Sequence, residues 1–130
     1  MTHPRAAGIF VTGTDTGVGK TLVSCALIAA FRKSGLKVGA MKPIETGVGD
    51  AGPLDAIALR DAAGSTDPLA TICPQQFALP AAPNAAASAE GREVDLAAID
   101  AAYDALAKRP RAAGDLDRAE HDAHSPRDRG

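Results

Sequence analysis

The sequence predicts an α/β fold: a parallel sheet with flanking helices. Three observations carry this. A short apolar run, Gly8-Ile9-Phe10-Val11-Thr12, ends at a glycine. A helical segment follows from about Gly19 to Lys33, and a second short run, Lys37 to Lys42, comes next. Strand, helix and strand within so few residues form a βαβ unit. Continuous rather than alternating apolar character suits parallel strands covered on both faces.

Each element has local support. The first helix carries Leu22, Cys25, Ala26, Ala29 and Ala30 at helical spacing. Ser34-Gly35 ends it, with Arg32 and Lys33 in the last turn, where cations suit the helix dipole. Pro43 closes the second strand. A Gly-rich loop, Glu45 to Pro53, precedes a helix from about Leu54 to Ala63, with Leu54, Ile57, Ala58 and Leu59 on one side and Gly64 beyond its end. Residues 66–92 hold Pro68, Pro74, Pro80 and Pro83 and read mostly as loop. Asp95 is placed to cap a last helix, whose Leu96, Ile99, Tyr103 and Leu106 share one face expected to pack inward.

Composition sets bounds. The 130 residues suffice for one domain, with 45% hydrophobic and 23% charged residues but only three Phe, one Tyr and no Trp. A net charge of −2 argues against a nucleic-acid or membrane-surface footprint. No apolar run reaches the roughly 18–20 residues of a membrane span. Cys25 and Cys73 have neither disulfide-framework nor metal-ligand spacing, so the expectation is two reduced thiols in a cytoplasmic chain without a signal peptide. Beyond Arg109 the character changes: residues 109–130 hold ten charged residues and one large aliphatic, Leu116. Such a segment cannot offset its ordering entropy and reads as a disordered tail, with residues 1–108 as the folded unit. His121 and His124, beside Glu120 and Asp122, fall in it and read as solvated side chains.

The chemistry concentrates between the first strand and the first helix, in Gly13-Thr14-Asp15-Thr16-Gly17-Val18-Gly19-Lys20-Thr21. Phosphate binding needs small residues that let N–H groups converge, a helix N-terminus, a lysine as point charge and a hydroxyl for Mg²⁺. All are present in order, although five residues rather than the usual four separate Gly13 from Gly19-Lys20. Gly17 and Gly19 allow the loop its tight path, Lys20 should reach the β- and γ-phosphates of a nucleoside triphosphate, and the Thr21 hydroxyl should hold the metal. The fold class becomes a P-loop NTPase-type parallel sheet. Lys42 stands at the carboxyl end of the second strand, where open α/β sheets place ligands. There it could stabilise charge on a transferred phosphoryl group, or simply be a solvated lysine ending an edge strand. Asp55 by itself equally suits the dipole of the helix it begins.

Taken together, GTDTGVGKT, MKPIETG and Leu54-Asp55-Ala56-Ile57-Ala58-Leu59 resemble the dethiobiotin synthetase family over about Gly8 to Lys108, including FALPAAP and the helix around Tyr103. The resemblance implies ATP- and Mg²⁺-dependent closure of a cyclic urea from 7,8-diaminononanoate and CO₂, in a homodimer. It implies Lys42 as the catalytic lysine, Gly17, Val18, Gly19, Lys20, Thr21 and Leu22 wrapping the phosphates of ATP, Thr21 and Asp55 as metal ligands, Asp55 also beside the nucleotide, and Thr46 and Thr16 facing the substrate. Gly17 stands where some members have Glu. Partition and septum-site ATPases, the switch-type alternative, carry an early loop lysine where this chain has Asp15. The family's apolar strand after the Tyr103 helix, with its Val-Glu-Gly-Ala-Gly-Gly type motif, is not matched after Lys108. The expectation is therefore an incomplete sheet, an out-of-frame ending after about residue 108, and impaired turnover. A nucleotide-binding but inactive chain is the third alternative.

Overall fold

The helix predicted after the glycine-rich segment forms as α1, Lys20–Lys33, in a computed structural model that describes residues 7–13 and 19–108. The second follows as α2, Leu54–Ala63, and ends on Gly64. Gly64 has φ of 57°, the left-handed region in which a side chain is strained, and a Cβ there would meet the Arg32 guanidinium at 2.6 Å. The Ser65 N–H then closes back onto the Arg60 carbonyl at 3.1 Å, satisfying a carbonyl that the helix leaves over.

Two segments predicted as strands carry no strand. Among the described residues, 7–13 pair with nothing, and Ile9 and Phe10 are 64% and 85% exposed. A strand is a ladder, and an apolar run without a neighbouring backbone to bond is only an extended segment. Residues 37–42 likewise lack a ladder; only the Lys42 N–H is bonded, to the Ile72 carbonyl at 2.8 Å. The parallel pair lies further on, where β1, Ile44–Glu45, meets β2, Gln75–Gln76, with Ile44 opposite Gln75 and Glu45 opposite Gln76. Bonds from Phe77 N–H to Glu45 C=O and from Val48 N–H to Phe77 C=O, each 3.0 Å, continue it. The crossover between these strands consists of α2 and a short helix α3, Leu69–Ile72. The architecture is thus α/β with a partial parallel sheet and flanking helices.

The stretch expected to be mostly loop, residues 66–92, holds three short regular elements among its loops. It supplies α3, β2 and α4, Pro83–Ala89. Pro83 occupies the first turn of α4, where its missing N–H costs nothing. Ala86 and Ala87 pack under Phe77, which is 1% exposed, with Ile44 and Val94 alongside. Arg92 covers the other side, its guanidinium 4.6 Å from the ring centroid and bonded to the Gln76 carbonyl at 3.2 Å. Glu90 accepts from the Ala78 N–H at 2.9 Å and pairs with Arg92, and these two partners hold its carboxyl below the usual range.

The last helix, α5, Leu96–Ala107, starts as predicted: the Asp95 carboxylate accepts from the Ala98 N–H at 3.0 Å. Its inward face is a correction. Ala102 and Leu106 are buried, whereas Leu96 and Tyr103 are 69% and 52% exposed, because the face of α5 that meets its neighbours is the one carrying Leu106, which packs with Ala56, Ile72 and Cys73. The same applies to α2, where Ala56, Leu59 and Ala63 face the core and Leu54 is exposed. Ile28, Ala40, Leu59 and Ala63 join α1 to α2, while Ala56, Ile72, Cys73 and Leu106 join α2, α3 and α5. No helix among the described residues is long and apolar enough to cross a membrane. The segment 109–130, expected to be a tail, lies outside the described residues, as do His121 and His124.

Candidate functional site

The first turn of α1 is Lys20-Thr21-Leu22, preceded by Gly19 with φ of 93°. That left-handed value reverses the chain into the helix, and glycine offers no side chain to cap it. The leading N–H groups of a helix have no intrahelical partner and suit an anion. Lys20 and Thr21 are half-buried there, and Leu22 is 75% exposed. The Lys20 carbonyl accepts from the Ser24 hydroxyl at 2.7 Å, tying down the turn that carries the lysine. Thr16, Gly17 and Val18 lie outside the described residues.

The helices α1 and α2 run in the same sense. Arg32, near the end of α1, donates to the Ala62 carbonyl near the end of α2 at 2.8 Å, and one turn earlier Ile28 packs with Leu59 and Ala63. Their N-termini therefore lie toward the same end of the pair, Lys20 and Thr21 on one helix and Asp55 on the other.

The sharpest juxtaposition lies at the start of α2. Lys42 Nζ stands 3.2 Å from Asp55 Oδ2, with side chains 27% and 44% exposed. A pair this wet contributes on the order of 0.2–1 kcal/mol to stability. Thr46 follows β1 and is half-buried. Sequence reasoning missed Glu45, which is 8% exposed and accepts from the Asp55 N–H at 3.2 Å and the Ala56 N–H at 2.9 Å. The cap position of α2 is Pro53, which has no side-chain acceptor, so the carboxylate comes from β1 instead. A readable signal existed: a helix opening Pro-Leu-Asp, without a capping side chain of its own, ten residues after a Glu.

Cys73, fully buried beneath this junction, donates weakly to the Gln75 carbonyl at 3.6 Å. Burial, then repulsion from Glu45, pushes its thiol up to about 12, against a lesser lowering by Lys42. A thiol held protonated in this way is no nucleophile.

Among the described residues, no three His, Cys, Asp or Glu side chains group to hold a metal. The donors at hand, the Thr21 hydroxyl and the Asp55 carboxylate, are hard oxygens. That set fits Mg²⁺ bound beside a polyphosphate, which takes one or two protein oxygens and completes its shell with phosphate and water.

An α/β scaffold whose first helix opens on Gly-Lys-Thr, with a lysine and an aspartate meeting at the start of the next, is the plan of a P-loop protein. The chain belongs to the AAA domain family, whose model matches residues 7–113. It is 57% identical over 102 residues to the ATP-dependent dethiobiotin synthetase BioD of Anaeromyxobacter dehalogenans strain 2CP-C, a match covering 78% of this chain and 46% of that protein. The enzyme of the same name from Thermodesulfovibrio yellowstonii is 48% identical over 107 residues, 79% of this chain and 45% of its own. That of Aquifex aeolicus is 41% identical over 101 residues, 78% and 44%. The chain thus spans about half the length of the curated relatives it matches.

Proposed function

We propose that the chain is the phosphate-loop-bearing portion of an ATP- and Mg²⁺-dependent ligase that closes the ureido ring of dethiobiotin from 7,8-diaminononanoate and CO₂, in biotin biosynthesis. The observation that carries the reading is the approach of Lys42 to Asp55 at the start of α2. One substrate amine takes up CO₂ and loses a proton to become a carbamate. A carbamate oxygen attacks the γ-phosphorus of ATP, and ADP leaves. The second amine then attacks the carbonyl carbon of the resulting anhydride, expelling phosphate and losing its proton as the ring closes.

The first two partners are anions, so their approach requires positive charge. Lys20 faces the β- and γ-phosphates, with the N–H groups of Gly17, Val18, Gly19, Lys20, Thr21 and Leu22 around them. Lys42 leaves Asp55 and turns to the carbamate and the transferring phosphoryl group. Thr21 and Asp55 would hold Mg²⁺, which when bound neutralises phosphate charge. Thr46 and Thr16 contact the diamine. Ring closure is intramolecular once the anhydride exists, so positioning supplies much of the remaining rate. By the same resemblance the working form is a cytoplasmic homodimer. The exposure of Ile9 and Phe10 favours a second reading for the isolated chain: it binds nucleotide and turns over little or not at all.

Thermal and urea denaturation with Mg-ATP, with and without the diamine, tests this. A hundredfold excess over Kd stabilises the native state by about 2.7 kcal/mol, and Lys20→Ala abolishes the effect. Joint stabilisation by ATP and diamine, with ADP release when bicarbonate is added, supports the ligase. ATP stabilisation without ADP release supports the second reading. No response to ATP sinks both.

A further inference from the structure

We propose that Glu45 is a positioning residue for the Lys42–Asp55 pair. A buried carboxylate carried on β1 reaches across the 46–53 loop and accepts from the second and third amides of α2, at 3.2 Å from Asp55 and 2.9 Å from Ala56. Two charge-assisted bonds to adjacent N–H groups fix both the direction of the helix axis and its rotation about that axis. One of those amides belongs to Asp55 itself, so the backbone bearing the carboxylate is held by Glu45. Lys42 is anchored three residues earlier on the same segment as Glu45, its own N–H bonded to Ile72 at 2.8 Å. Glu45 thus ties the segment that carries the lysine to the helix that carries the aspartate. The distance between the two charged groups is set by a side chain that is neither of them.

A proline at the cap position sharpens the point. No local side chain caps the α2 N-terminus by a hydrogen bond, and Pro53 offers only its carbonyl, which accepts from the Ile57 N–H at 2.9 Å. Without Glu45 the Asp55 and Ala56 amides turn to water, the first turn frays, and Asp55 samples a range of positions. The inference deepens the ligase reading, because the placement of Lys42 and Asp55 matters for catalysis only under that reading, but its test does not depend on nucleotide.

The test is competitive acetylation of the full chain by an amine-specific reagent, read lysine by lysine by mass spectrometry. In the unaltered chain Lys42, half-buried and paired, reacts more slowly than the exposed Lys33, Lys37 and Lys108. Glu45→Gln keeps the volume but turns a donor toward an amide. It should raise Lys42 acetylation about two- to fivefold, the scale of one partly exposed ion pair, and leave the other three at their original rates. Asp55→Asn should give the same rise, and the double variant no further one. Unchanged Lys42 reactivity in Glu45→Gln overturns the proposal. So does a uniform rise at all four lysines, the signature of mere destabilisation, and so does an additive double variant. Should Glu45→Gln fail to fold, Glu45→Asp, one methylene short of α2, is read against the same pattern. A chain that shows the selective rise but no stabilisation by Mg-ATP retains the positioning role and loses the ligase reading.

Discussion

Residues 7–13 and residues 72–77 make an instructive pair. Both are short, and both carry a phenylalanine. In the first, Phe10 is 85% exposed and the backbone joins no ladder among the described residues; in the second, Phe77 is 1% exposed and adjoins the parallel pair. The difference is not local propensity, since Ile-Phe-Val is the better strand former than Gln-Gln-Phe. It is company. Phe77 has β1 on one side, Ala86 and Ala87 of α4 beneath, and Arg92 above. A run of β-branched and aromatic residues becomes a strand only when another backbone is available to bond it.

The largest effect that would test this contrast is Phe77→Ala. It removes the biggest fully buried side chain among the described residues and the ring under Arg92, and should cost about 3–5 kcal/mol, measured from the urea midpoint at constant slope. A domain cored largely on alanine has little margin against such a loss, so the variant should be mostly unfolded at ambient temperature. A cost below about 1 kcal/mol would mean that the 72–77 region is no better packed than 7–13, and the comparison would collapse.

What could be read in advance divides along the same line. The helices were legible because their signals are local: Gly64 past the end of α2, Asp95 before α5, the basic last turn of α1. The strands were not, because a ladder depends on a partner that no single window contains. Which helix face turns inward was half-legible: a large apolar residue suggests the core, yet α2 and α5 bury Ala56 and Ala102 and leave Leu54 and Tyr103 outside. Which elements pack against each helix decided that, and packing is a property of the pair. At the candidate site, Lys42 and Asp55 were named from the sequence and the structure brings them together. Glu45 was not named, because its bonds to Asp55 and Ala56 exist only once the intervening loop has folded back.

A smaller effect concerns the floor of the packed region. The Cys73 thiol stays protonated in the folded chain until about pH 12, whereas in the unfolded chain it ionises near its ordinary 9.0. Above pH 9 the unfolded state releases a proton that the native state keeps, so stability falls as pH rises from 9 toward 12. Urea midpoints at pH 8, 9 and 10 should decline, and Cys73→Ala should flatten that decline after allowance for its constant packing cost. An unchanged slope in Cys73→Ala would mean that the thiol is wet and the core beneath Lys42 is looser than its closed packing indicates. The half-buried Cys25 supplies an internal reference, because iodoacetamide at pH 8 should modify it well before Cys73.

The smallest effect is the other half of the comparison. Phe10→Ser exchanges an exposed ring for a hydroxyl in a segment without a ladder, so stability should change by no more than about 0.5 kcal/mol. The same change should raise solubility, because an apolar extended segment with unpaired backbone groups templates association between chains. Light scattering at increasing concentration reads that second consequence separately from the urea midpoint. Were Phe10→Ser to cost as much as a core substitution, residues 7–13 would have to be packed in solution, with Phe10 against an apolar surface. The exposed Leu22 and Val23 of α1 are the nearest such surface in sequence. Combining Phe10→Ser with Val23→Ser then gives the decision: coupling between the two substitutions places the segment on α1, and simple additivity leaves it in water.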